Sequence, residues 1–230
     1  MNSDDSLPHA LPNSTHEPNP NPRQRPWVIL VHGLWMNGWE MGVLRFRLHD
    51  AGFRTLRFSY PSRRATVAEN ASRLKEFLLH HVADGRVHLV GHSLGGLVIL
   101  RFLHDYPEWP VQRCLALGSP FRGSQAARQL YRFAPTRWLL GRSMFEGLDG
   151  QGVHDVPPQK IFASVVGDRA AGLAMRIVLL HLPHDGVVEV AETRLDGVHA
   201  RIQRYCNHLG LVFSRTVADD VIRFLKTGKF

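Results

Sequence analysis

From residue 27 onward, short apolar runs of strand length alternate with longer stretches of helical period, and this alternation is the chain's main structural signal. Residues 27–32 (WVILVH) are apolar throughout, which predicts a strand buried on both faces of a sheet. A helix over 37–50 follows, with Gly52 placed to stop it, and 53–58 reads as the second strand. Thr66, with Glu69 three positions on, makes a capping box for a helix running to 83, where Asp84-Gly85 closes the unit. Residues 87–92, 111–117, 160–166 and 200–205 supply four more strands, with an apolar helix over 94–106 between the first two. A closing amphipathic helix is predicted over 211–226, with Val212, Thr216, Val217, Asp220, Val221, Phe224 and Leu225 around its inner edge. Strands alternating with helices predict an α/β fold: a mostly parallel central sheet flanked by helices on both faces. Residues 121–159 are long for a connection and hold apolar helical pieces at 126–133 and 138–145, so they read as a short inserted cap.

The first 26 residues break the pattern. Six prolines (Pro8, Pro12, Pro18, Pro20, Pro22 and Pro26) stand among Asn, Ser and His, predicting a disordered tail ahead of one domain over 27–230. With 44% hydrophobic residues in 230, the chain has apolar material for one sizeable core. Its net charge of +8 comes mainly from arginines scattered through helices and loops, which favours solubility and weak contact with anionic membrane surfaces over a nucleic-acid partner. Cys114 and Cys206 are too few for a disulfide framework and lack metal-ligand spacing, so both read as reduced thiols, with one disulfide as the alternative. No run is long enough for a transmembrane segment and no export signal is visible, which leads to the expectation of a cytoplasmic protein.

One motif carries chemistry. Gly91-His92-Ser93-Leu94-Gly95-Gly96 matches G-x-S-x-G and falls at the junction of a predicted strand and a predicted helix. A serine on so sharp a bend leaves no room for side chains beside it, which the flanking glycines satisfy. The bend lifts the Ser93 hydroxyl to the sheet edge and sets the Leu94 amide at a helix N-terminus, where it can hold a developing negative charge. A serine hydroxyl needs a base to take its proton. Of fourteen histidines, His208 lies between the last predicted strand and the last helix; His199 and His181 are its rivals. Asp185, Asp168 and Asp196 are all candidates for the acid that would orient the base.

With these residues in hand, the chain resembles the α/β-hydrolase superfamily, and within it the small bacterial lipases and carboxylesterases. The likeness rests on Val-Ile-Leu-Val-His-Gly at 28–33, Gly-His-Ser-Leu-Gly-Gly at 91–96, Leu-Gly-Ser-Pro-Phe-Arg-Gly-Ser at 117–124, and the stretch from Asp185-Gly186 through Arg194-Leu195-Asp196-Gly197 to His208. The resemblance implies the order Ser, acid, His along the chain, with His208 as general base and Asp185 favoured over Asp168 as the acid. It also implies that the loop after the first strand contributes a second oxyanion donor, which falls on the Leu34 amide. The family's usual histidine in the third stretch is Phe121 here, residues 170–182 are longer than the small lipases need, and no secretion signal is expected.

The expectation is therefore a serine hydrolase that cleaves carboxylic esters of small molecules or lipids through an acyl-serine intermediate. Trp35 and Phe121, with Leu130, Trp138 and Phe145, are candidates for an apolar acyl pocket. The same residues would serve a thioesterase or an acyltransferase, and a third reading makes the fold a non-catalytic interaction module. No metal-ligand cluster or phosphate-binding glycine loop stands out, so no cofactor is expected.

Overall fold

The computed structural model describes residues 25–82, 86–145, 147–172 and 178–230. The tail reading, apart from Arg25 and Pro26, and the Asp84-Gly85 turn lie outside the described residues. Six strands form one sheet: β1 (Trp27–Val31), β2 (Arg54–Phe58), β3 (Val87–His92), β4 (Val111–Leu117), β5 (Phe162–Gly167) and β6 (Ala200–Arg204). All pair in parallel, in the order β2-β1-β3-β4-β5-β6. The helices are α1 (Gly42–Asp50), α2 (Val67–His81), α3 (Leu94–Asp105), α4 (Gln125–Arg132), α5 (Arg137–Leu140), α6 (Gly210–Phe213) and α7 (Arg215–Thr227).

Because strand side chains alternate with a period of two, each of the four central strands, β1, β3, β4 and β5, feeds two cores. Ile29, Val31, Leu89, Cys114, Ala116 and Phe162 pack with α2 and α3 on one face. Val28, Leu30, Val90, Leu115, Leu117, Ala163 and Val165 pack with α1, α6 and α7 on the other. Burial on both faces explains why these strands read as unbroken apolar runs, and each fully buried Leu, Val or Ile contributes about 1.5–3 kcal/mol. Cys114 and Cys206 are free thiols, the former buried in this core.

The capping box is formed: the Thr66 hydroxyl accepts from the Glu69 amide at 3.2 Å and the Glu69 carboxylate accepts from the Thr66 amide at 2.9 Å. Two predicted helices differ from expectation. The helix predicted from residue 37 begins only at Gly42, because Gly38 adopts φ +90° and the Asn37 side chain takes the Trp39 amide, which turns the chain instead. The closing helix is two helices, broken where Ser214 is extended (φ −63°, ψ 133°) and its hydroxyl caps the Val217 amide at 3.3 Å. The shift in phase exposes Thr216 and puts Ala218 on the inner face instead. There Asp220 receives a forked pair of hydrogen bonds from Arg204, at 2.6 and 2.9 Å, tying β6 to α7.

The strand order has a functional consequence. The chain leaves β1 for β2 on one side and returns to β3 on the other, so the connections diverge at the carboxyl ends of β1 and β3 and leave a crevice there. Both motif loops, 32–35 and 91–96, open into that crevice.

Candidate active site

Ser93 sits at φ +54°, ψ −121°, a conformation that a residue with a side chain adopts only under tertiary constraint. The glycines make the bend possible. A Cβ on Gly91 would lie 2.6 Å from the Gly95 carbonyl carbon and the Gly96 nitrogen, and one on Gly95 would lie 2.2 Å from the Val31 oxygen. The Ser93 amide donates to the Leu117 carbonyl at 2.9 Å, which fixes the bend to β4. On the facing loop, a Cβ on Gly33 would stand 3.2 Å from the Ser93 Cβ, so the two motif loops are in contact. Among the described residues, neither the Leu34 nor the Leu94 amide donates to a protein acceptor.

His32 is structural, and it braces that facing loop. Its Nε2 accepts from the Tyr60 amide at 3.3 Å, which leaves Nδ1 to donate to the Gly33 carbonyl at 2.8 Å. The Tyr60 ring stacks on it at 4.2 Å and the phenol donates to the His32 carbonyl at 2.6 Å. Burial holds the imidazole pKa below its ordinary value, consistent with a neutral ring.

The structure brings Asp185 and His208 together: Nδ1 of His208 lies 2.6 Å from Oδ2 of Asp185, and both residues are buried. The other carboxylate oxygen accepts from the Val187 and Val188 amides at 2.9 and 2.7 Å. Burial alone would push this carboxyl up. The adjoining His208 charge and hydrogen bond, with the two amides, outweigh it and hold the pKa below the usual carboxylate range. The backbones are joined as well, the His208 amide donating to the Asp185 carbonyl at 2.8 Å. Gly118, at φ +59°, allows this close packing, since a Cβ there would come within 3.2 Å of Nδ1.

The rival residues are engaged elsewhere. Asp168 accepts from the Gln203 side chain at 2.7 Å, Asp196 pairs with Arg122 at 2.7 Å, and His181 is exposed and bonds to Glu189 at 3.0 Å. His199 is exposed on the approach to β6.

Ser93 and His208 line one cavity of about 390 Å³, and Gly33, Leu34, Pro120 and Leu209 line it with them. Its apolar side comes from Leu130, Leu139, Leu140, Leu148, Val178 and Val188, so residues 121–159 do contribute to the pocket. Of the apolar residues predicted to line it, Trp35 and Leu130 do so. Phe121 does not: it is 1% exposed and packs edge-on against Phe162, in the core on the α2 and α3 face of the sheet. Trp138 and Phe145 are exposed outside the cavity.

One residue at the site went unremarked in the sequence. His92 is buried against the His208 ring, centroids 4.7 Å apart, and its Nε2 donates to the His208 carbonyl at 3.1 Å. Burial, and then the neighbouring His208 charge, lower its pKa to about 3, so it is a neutral donor that holds the His208 backbone. Its position next to Ser93 in the motif was visible, but its partner lies 116 residues away along the chain.

Comparison with known proteins agrees with this architecture. The mature lipase of Bacillus licheniformis superposes with a TM-score of 0.70 at 18% identity, over 87% of this chain and 92% of the lipase. A metagenomic carboxyl esterase gives 0.68 at 18% identity over 88% and 76% of the two chains, and a Bacillus subtilis carboxylesterase 0.56 at 17% over 90% and 86%. At these identities the likeness is one of fold. Among curated proteins, none matches the chain in sequence. Residues 28–222 match the family model of the alpha/beta hydrolases, and the chain belongs to that family.

Proposed function

We propose that this hydrolase cleaves carboxylic esters through an acyl-serine intermediate, with Ser93 as nucleophile, His208 as general base and Asp185 as the acid that orients it. One observation carries the reading. The 2.6 Å bond from Asp185 occupies Nδ1 of His208 and leaves Nε2 as the free ring nitrogen, on a residue that lines the same cavity as Ser93. Nε2 takes the Ser93 proton as Oγ attacks the ester carbonyl carbon. The negative charge passes to the carbonyl oxygen, where the Leu34 and Leu94 amides hold it; each such donor is worth about a hundredfold to a thousandfold in rate. Collapse of the intermediate breaks the ester bond and returns the proton to the departing alcohol. Water then repeats the sequence on the acyl-serine and releases the acid. The apolar cavity suits the acyl chain, with Trp35 at its rim. We expect the enzyme to act in the cytoplasm, without a metal or organic cofactor.

The test is labelling by a fluorophosphonate, which reacts only with an activated serine. Wild type should label, while Ser93→Ala and His208→Ala should not. Labelling of Ser93→Ala at the wild-type rate would assign the chemistry to another residue.

A further inference from the structure

A second cleft of about 400 Å³ adjoins the first and shares Trp35 and Met36 with it as a common wall. Its character is different. Where the first is lined mainly by apolar side chains, the second carries Tyr60, Ser62, Arg63 and Arg64. Neither arginine pairs with a carboxylate among the described residues, and Arg63 instead lies over the Trp138 ring at 5.5 Å. Glu69 is already taken by Arg142, at 2.7 Å, and by the Thr66 amide.

The segment bearing the arginines is fixed in place. Ser62 and Arg64 donate their amides to the Tyr60 and Pro61 carbonyls at 2.8 and 3.0 Å, and Arg142 donates its amide to the Arg63 carbonyl at 2.8 Å. Ser143 donates to the Ser62 carbonyl, and Gly141 comes so close that a Cβ there would be 2.1 Å from the Arg63 oxygen. The dividing wall is held too, since the Trp35 indole donates to the Leu139 carbonyl at 2.6 Å and Trp35 itself sits at φ +62°.

We propose that this cleft binds a phosphate group on the leaving portion of the substrate, so that the preferred ester or thioester joins an apolar acyl chain to a phosphate-bearing alcohol or thiol. The inference rests on the ester-hydrolase reading above. With the carbonyl at Ser93 and the acyl chain in the apolar cavity, the leaving portion passes Trp35 and Met36 into the cleft. Arg63 and Arg64 both line the cleft from a turn whose backbone is pinned, and guanidiniums suit the several charged oxygens of a phosphate, which forked donors bind in pairs.

The test compares kcat/KM for three substrates with the same acyl chain: a neutral monoacylglycerol, the corresponding lysophosphatidic acid, and the acyl-coenzyme A thioester. Wild type should prefer at least one phosphate-bearing substrate over the neutral one by about tenfold or more, the worth of one charge-assisted hydrogen bond. Preference for the lysolipid alone identifies a lipid headgroup; because a thioester is intrinsically the more reactive acyl donor, preference for the thioester alone identifies a nucleotide carrier only where Arg63→Gln/Arg64→Gln abolishes it. In Arg63→Gln/Arg64→Gln the ratio of phosphate-bearing to neutral kcat/KM should fall about tenfold, and in wild type it should shrink as salt rises. Should the double variant fold poorly, Arg64→Gln alone, at an exposed position, and competitive inhibition of wild type by glycerol phosphate read the same site. A wild-type ratio near one, or a ratio unmoved by the substitutions, overturns the proposal. If Ser93 labels and the neutral ester is hydrolysed, that outcome leaves the parent reading standing; if Ser93 fails to label, the parent reading itself has failed.

Discussion

Replacing Asp185 with Asn probes the orientation of His208 without emptying the site. The Asn oxygen would still accept the Val187 and Val188 amides that Oδ1 accepts now at 2.9 and 2.7 Å, so the loop should remain folded. Holding those bonds fixes the amide rotamer and directs its NH2 at Nδ1 of His208, where Oδ2 stands now at 2.6 Å. Nδ1 must then accept, the ring proton moves to Nε2, and the imidazole facing Ser93 has no lone pair for the hydroxyl proton. The negative charge that would stabilise the imidazolium is lost as well. The expected fall in kcat is about ten-thousandfold, or about 5.5 kcal/mol of barrier. The assay is turnover of a short-chain chromogenic ester, with the melting temperature measured alongside. Asp168→Asn is the companion variant and should change turnover little, since its carboxylate is engaged by Gln203. Retention of more than about a tenth of the activity in Asp185→Asn, or an equal loss in Asp168→Asn, would refute this reasoning.

Gly95→Ala puts a Cβ 2.2 Å from the Val31 carbonyl, a backbone atom that cannot swing away, and should cost about 3 kcal/mol, read as a drop in melting temperature of roughly 6–12 °C. Gly42→Ala, with nothing within 4 Å of the new atom, should not lower the melting temperature, and equal losses in the two variants would discredit the close-approach account. Burial lowers the His88 pKa to about 4 and that of His92 to about 3, so below about pH 6.5 the unfolded chain takes up protons that the folded chain refuses; each costs about 1.4 kcal/mol per pH unit. Glu192, raised by burial to about 7, keeps its proton when folded and offsets one of the two, while His32 adds to the loss. Stability should therefore fall by about 2 kcal/mol from pH 6.5 to pH 5, and a melting temperature that is flat or rises over that interval would contradict the buried neutral histidines. Leu130→Trp, which fills part of the about 390 Å³ cavity, should shift preference toward shorter acyl chains, and an unchanged chain-length profile would mean the acyl chain lies elsewhere.

Much of the fold was legible because parallel strands buried on both faces carry unbroken apolar runs, as at 28–31 and 87–92, and because the Thr66 and Glu69 pair is a local signal. The Ser93 bend was legible for the same reason, since its glycines answer contacts within a few residues or with the neighbouring strand β1. What sequence spacing left open depends on contacts between distant segments. Asp185 is separated from Asp168 by the way residues 185–188 fold back to give both amides to one carboxylate oxygen, a geometry that composition does not encode. Phe121 was read as pocket lining because it is apolar and near the site. Which way the ring turns is decided by Phe162, a residue 41 positions on. His92 likewise gains its role from His208, and Ser214 breaks a helix whose apolar period runs on past it.

The proposed mechanism requires that Ser93 accept the acyl group with the help of His208. Acid quenching of the enzyme during turnover of a slowly deacylating ester, followed by digestion with trypsin, isolates the peptide between Arg86 and Arg101 that contains this serine. Its mass should increase by that of the acyl group in wild type and stay unmodified in His208→Ala. An acyl group found on any other peptide, or steady ester hydrolysis with this peptide never modified, would contradict the claim.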